Sequence, residues 1–123
     1  MALAREIMQG GVSGQSARLL QGVVNTAVAA AGTTISDATA LKVSHNNVTT
    51  VGASSGVALP AADIMDEVFV YNGTGTNALT VYPNTSSETI NQLSAGAGMK
   101  LAPYTGCMFR KASGTVWVGF LSA

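Results

Sequence analysis

Hydrophobic and polar positions along this chain fall into two textures. From Thr33 onward, short runs of Val, Thr, Ile, Tyr and Phe are broken by clusters of Gly, Asn, Pro and Ser. A break of this kind every eight to twelve residues or so is the signature of a sandwich or barrel. The pattern predicts strands over 40–43, 48–51, 57–59, 67–71, 78–82, 89–92, 99–102, 107–111 and 116–120, with almost no helix. The fold class expected is therefore all-β, an antiparallel β-sandwich. Residues 1–32 differ: they are rich in Ala, Gly, Gln and Val and contain neither proline nor aromatic residues. Leu3 and Ile7 are one helical step apart, and Leu19, Leu20, Val23, Val24 and Ala27 keep helical spacing, but Gly22 and the β-branched Val23-Val24 pair weaken a helix. The division expected is an N-terminal arm over 1–32, extended or partly helical, and a β domain over 33–123. With too few large apolar residues for a core of its own, such an arm gains most by lying on another surface, whether its own domain or a partner.

Two hairpins stand out. The first runs from Asp66-Glu67-Val68-Phe69-Val70-Tyr71 to Ala78-Leu79-Thr80-Val81-Tyr82 through a Gly- and Asn-rich stretch over 72–77, where positive φ angles come easily. Alternation sets Leu79 and Val81 on one face of its second strand. Its first strand is apolar on both faces after the acidic start, which suggests a central position or an interface. The second hairpin joins Cys107-Met108-Phe109-Arg110-Lys111 to Val116-Trp117-Val118-Gly119-Phe120. It carries the only tryptophan, and burial of so large a ring is among the largest single apolar gains available. The expected core or interface anchors are Val68, Val70, Leu79, Val81, Phe109 and Trp117.

Composition narrows what the surface does. Charged residues make up 10% of the chain and cancel to a net charge of zero, while 47% of residues are hydrophobic. There is no basic footprint for nucleic acid and no polybasic signal for an anionic membrane. So little charge is unusual for a lone soluble monomer and points to surface covered by other protein; a coat of Ser, Thr, Asn and Gly is the alternative. The most apolar stretch, 19–31, is interrupted by Gln21, Gly22, Asn25 and Thr26 and falls short of the roughly 20 residues a membrane helix needs. Ala29-Ala30-Ala31 resembles a small-residue cleavage site, but Arg5 is followed by Glu6, and Gly10, Gly11, Ser13 and Gly14 break the apolar core of a secretory leader. A single cysteine, Cys107, excludes an intrachain disulfide.

Candidate chemistry lacks second partners. Gly73-Thr74-Gly75-Thr76-Asn77-Ala78 matches a dinucleotide fingerprint in spacing, yet a strand rather than a helix follows it, so pyrophosphate has no helix N-terminus to meet. His45 is the sole histidine, which rules out a His-His metal pair; a solvated loop position is expected for it. Cys107 with His45 could form a nucleophilic pair only in an electropositive, partly exposed setting, whereas Cys107 lies mid-strand and reads as core. Asp63, Asp66 and Glu67 cluster where a loop enters a strand, an ordinary acidic edge without a recognisable calcium loop. Asn47-Val48-Thr49, Asn72-Gly73-Thr74 and Asn84-Thr85-Ser86 fit the glycan acceptor pattern, a frequent chance match in so Asn-, Ser- and Thr-rich a chain. No cofactor and no catalytic residue is expected, and the chain is read as a non-enzyme.

The phrases 66–73 and 77–83, then Ile90-Asn91, Gly106-Cys107-Met108-Phe109 and Trp117, together with the opening Met1-Ala2-Leu3-Ala4-Arg5 and the link Ala31-Gly32-Thr33-Thr34, resemble the capsid decoration, or cement, proteins of tailed bacteriophages. The resemblance covers most of the chain in short pieces. It implies a jelly-roll-like β-sandwich that associates with itself as a dimer or trimer, is made in the host cytoplasm, sits on the outer capsid surface of the virion and clamps neighbouring major capsid proteins. The arm then supplies capsid or subunit contacts through Leu3, Arg5, Ile7, Arg18, Leu19, Leu20, Val23 and Val24. A rival expectation is a carbohydrate- or receptor-binding knob of a virion, with Tyr71, Tyr82, Tyr104 and Trp117 as stacking faces.

Overall fold

The computed structural model describes residues 24–122, an all-β body of ten strands. They are β1 (Val24–Ala29), β2 (Thr39–Ala40), β3 (His45–Thr50), β4 (Gly56–Ala58), β5 (Glu67–Asn72), β6 (Leu79–Tyr82), β7 (Thr89–Ile90), β8 (Met99–Leu101), β9 (Gly106–Lys111) and β10 (Val116–Leu121). One sheet has six strands in the order β1-β3-β5-β9-β10-β7, the other four in the order β2-β4-β6-β8. Each of the nine strands expected after Thr33 overlaps an observed one.

From β1 to β6 the chain changes sheet at every strand. The odd strands stack in parallel in one sheet and the even strands in parallel in the other, so the chain winds in three coils. The last coil is then closed by reversal: β9 runs antiparallel to β5 and β8 antiparallel to β6. β10 forms the expected hairpin with β9, and β7 lies parallel to β10 at the far edge. The antiparallel sandwich expected from the sequence is thus corrected: five of the eight strand pairings are parallel, and the arrangement is solenoid-like rather than a jelly roll.

The hairpin expected between β5 and β6 is also corrected. These strands lie in different sheets, and residues 72–77 form an arch across the core. Val68, Val70 and Asn72 of β5 and Leu79 and Val81 of β6 are all buried, so the two strands face each other through their side chains instead of pairing side by side. Asn72 holds the arch. Its Nδ2 donates to the Asn77 and Leu101 carbonyls at 2.9 and 3.1 Å, and its Oδ1 accepts from the Thr74 N–H at 3.1 Å and the Thr74 hydroxyl at 2.8 Å. All four hydrogen-bonding positions of a buried amide are filled, as burial of a polar group requires.

The core lies between the sheets. In the coils it is made of Val and Leu: Val28 stands beside Val48 in register, and Leu41 and Leu59 continue the other sheet through N–H bonds of 2.9 Å to the Ala58 and Tyr82 carbonyls. Equivalent residues of successive coils sit about 4.8 Å apart, a spacing that compact branched side chains fill. The aromatic members of the core, Phe109 and Trp117, belong to the closing strands, and both are fully buried. The sheet begins at Val24, ahead of Thr33. Val28 is buried, the Ala30 N–H donates to the Thr50 carbonyl at 2.9 Å, and the Thr39 hydroxyl donates to the Ala29 carbonyl at 2.6 Å.

Candidate interaction surface

Alternation along the strands of the six-stranded sheet decides what each face carries. In β5, Val68, Val70 and Asn72 point inward, which leaves Glu67, Phe69 and Tyr71 outside. In β9, Cys107, Phe109 and Lys111 are buried and Met108 and Arg110 turn outward. Strand register then lines the outward residues up: Val24 opposite His45, His45 opposite Phe69, Phe69 opposite Met108, and Met108 opposite Phe120. A single row, Val24-His45-Phe69-Met108-Phe120, crosses five of the six strands. The His45 and Phe69 rings lie 4.9 Å apart at 33°, and the two ends are open, Val24 at 57% and Phe120 at 59% exposure. Beside it runs the row Glu67-Arg110-Val118, whose ion pair, at 2.5 Å, is half exposed and contributes little to stability. His45 is exposed as expected, but in a strand against Phe69 and not in a loop.

A second apolar feature stands at the entry to β5. Ile64 and Met65 are 59% and 63% exposed, and Met65 has φ of 80°, a conformation that costs a non-glycine residue of order 1–3 kcal/mol. It is held there by its N–H on the Lys111 carbonyl at 2.8 Å, by the Lys111 N–H on the Asp66 carbonyl at 3.0 Å, and by the Asp63 N–H on Asp66 Oδ2 at 2.9 Å. Two bulky apolar side chains are therefore displayed to solvent on a pinned turn. The acidic cluster anticipated at this point serves that turn, with Glu67 committed to Arg110.

The one densely polar buried cluster among the described residues ties the closing strands together. Glu88 Oε1 accepts from Trp117 Nε1 at 2.8 Å and from the Asn84 N–H at 3.2 Å, and Oε2 accepts from Lys111 Nζ at 2.9 Å. Lys111 Nζ also lies 5.2 Å from the centre of the Trp117 ring. Burial raises the Glu88 pKa, but the Lys111 and Trp117 hydrogen bonds, the Lys111 charge and the Asn84 N–H outweigh it and hold the carboxyl below its usual range. Every carboxylate oxygen is occupied, so the cluster acts as a structural clasp. Of these residues, the sequence pattern singles out only Trp117 as an anchor. The signal for the rest was Lys111, which shares the inward phase of Cys107 and Phe109 and therefore needs a buried acid.

The expected anchors Val68, Val70, Leu79, Val81, Phe109 and Trp117 all lie in the core. Of the arm contacts, Val24 opens β1 at the end of the outer row, whereas Leu3, Arg5, Ile7, Arg18, Leu19, Leu20 and Val23 lie outside the described residues. Cys107 is buried, and burial pushes its thiol up to about 11; it faces inward while His45 faces outward on the same sheet, so the two do not converge. No group of three or more His, Cys, Asp or Glu residues capable of holding a metal occurs among the described residues, and no helix there is long and apolar enough to cross a membrane. Two of the four candidate stacking aromatics are committed elsewhere: Trp117 to the core, and Tyr82 through its hydroxyl to the Thr33 carbonyl at 2.8 Å. Asn72, in one of the glycan acceptor patterns, is fully buried. No family model, curated protein or solved structure matches the chain.

Proposed function

We propose that this protein is a non-enzymatic structural component of a virion that decorates the outside of a tailed-phage capsid, associates with itself, and stabilises the shell by clamping neighbouring major capsid proteins. The observation that carries this reading is the outer row Val24-His45-Phe69-Met108-Phe120, a largely apolar stripe across five strands of one sheet, in a chain of which charged residues make up only 10%. Rows of this kind on a soluble protein mark contact with other protein, and many modest contacts repeated around a symmetric shell add by avidity. The pinned Ile64-Met65 turn offers a second apolar contact, and the segment ahead of Val24 adds to these. What is carried over from the decoration proteins is the job and not their jelly-roll strand order.

Binding to expanded heads of the phage that encodes the protein, followed by sedimentation and by thermal release of DNA, tests the proposal. The wild type is expected to co-sediment and raise the release temperature, and Phe69→Ser/Phe120→Ser to lose both effects while keeping its fold. Failure of the folded wild type to bind heads would sink the reading. Silence on a glycan array is expected, and specific glycan binding through Tyr104 would favour a receptor-binding knob instead.

A further inference from the structure

The outer row holds one side chain that can change its charge. Val24, Phe69, Met108 and Phe120 do not titrate, and His45 stands between Val24 and Phe69 in register. Histidine is the residue type whose charge changes between pH 5 and 8. Alternation keeps this one on the outer face: His45 is exposed and the next residue, Asn46, is buried. The backbone on both sides of the ring is tied to its surroundings. Asn46 Nδ2 donates to the Val43 and Phe69 carbonyls at 3.0 and 3.3 Å, and the Phe69 N–H donates to the Ser44 carbonyl at 2.7 Å. The imidazole is thereby set against the Phe69 ring, 4.9 Å away between centres.

No acid stands in register with His45 among the described residues. β1 contributes no ionisable side chain. The outer face of β5 carries Glu67 and Tyr71 on either side of Phe69. Glu67 accepts both Nε and a terminal nitrogen of Arg110 from β9, so that pair adds no net charge, and a tyrosine hydroxyl stays neutral below about pH 9. Asp63 and Asp66 belong to the turn before β5, where Asp66 accepts the Asp63 N–H. Lys42, in the approach to β3, is itself a cation. In the free protein, water solvates a protonated His45, and the Phe69 face favours it further as a cation–π contact. An apolar surface pressed onto the row removes that water and leaves the charge unpaired, which is unfavourable.

We propose that His45 makes the contact of the outer row dependent on pH: an apolar protein surface is held while the imidazole is neutral and is released when it takes up a proton. This rests on the row being the contact face, and it adds the chemistry of the partner, which presents no carboxylate opposite His45. Because the bound state excludes the proton, affinity is complete above the pKa of the free form and falls as pH drops below it. With the reference histidine value of about 6.5, full exclusion weakens binding about tenfold from pH 7.5 to pH 5.5. The buried acid Glu88, held below its usual range, keeps its charge over that interval.

Co-sedimentation with the expanded heads at pH 7.5 and pH 5.5, for wild type, His45→Gln and His45→Phe, gives the ratio of the two affinities within each protein, and effects of pH on the heads are common to all three. The wild type is expected to bind about tenfold more weakly at pH 5.5, and both variants to change by less than about twofold. A wild-type ratio equal to that of the variants would overturn the proposal while leaving the row as the contact face. Tighter wild-type binding at pH 5.5 would overturn it as well, by placing an acid on the partner. Absence of binding by the folded wild type at both pH values would remove the contact reading and this inference with it.

Discussion

The coils β1 to β6 and the closing section β7 to β10 exclude water from one core by different means. In the coils, modest side chains recur: Val28 and Val48, then Leu41 and Leu59, each gain burial from an equivalent neighbour one turn away. In the closing section burial is concentrated in two large rings, Phe109 and Trp117, and in the Lys111–Glu88 ion pair that Trp117 joins. Stability that is distributed over repeats declines gradually with damage, while stability concentrated in one cluster fails together. Single substitutions should therefore cost more in the closing section than in the coils.

The largest effect is expected from Trp117→Ala, which empties the biggest buried volume and leaves Glu88 without one of its donors. A loss of about 4 kcal/mol is expected by denaturant titration. Glu88→Ala follows at about 3–4 kcal/mol, because Lys111 is left buried and unpaired. Replacing both, as Glu88→Leu/Lys111→Met, is expected to recover most of that loss, since apolar pairs of similar size often match a buried ion pair. The same carboxyl makes the comparison dependent on pH. Its folded pKa lies below its unfolded one, so its contribution is complete above the unfolded value and disappears as pH falls through the folded one. Stability measured from pH 7 down to pH 3 should fall more steeply for the wild type than for the double variant; parallel curves would show that the clasp is not the acid-sensitive element.

How much of this was legible differs between the two regions for a physical reason. Strand positions after Thr33 came through, because alternation reports burial whatever the partner, but β1 did not, since its residues do not alternate between buried and exposed. The β9-β10 hairpin came through as well, since a short turn leaves its strands no choice but to pair. Parallel winding did not: Val68-Phe69-Val70 has the same pattern whether its neighbour runs up or down, and the Gly- and Asn-rich 72–77 suits an arch as well as a hairpin. The information lay at longer range, in the pairing of β1, β3 and β5 in one sheet and of β2, β4 and β6 in the other. The candidate surface was partly visible as the two-sided apolar character of β5, but the row across the sheet exists only once register sets His45, Phe69, Met108 and Phe120 side by side.

Within the coils, Leu59→Ala is expected to cost about 2–3 kcal/mol, less than Trp117→Ala although both sites are enclosed. Fewer buried atoms are removed at Leu59, and no polar partner is left behind. Equal losses at the two positions, measured under the same conditions, would remove the distinction between distributed and concentrated burial.

The smallest effect on stability should come from Phe120→Ser. The ring is 59% exposed at the end of β10, so its loss removes little buried area, and a change within about 0.5 kcal/mol is expected. Its register partner Met108 keeps the backbone pairing that fixes the strand. If the row is a contact surface, this substitution should still weaken capsid binding sharply and reduce self-association at high concentration, measured by sedimentation on the same samples. A large loss of stability with binding intact would mean that Phe120 belongs to the fold and not to the interface. The outer row would then end at Met108, and the apolar contact would have to be sought at Ile64 and Met65.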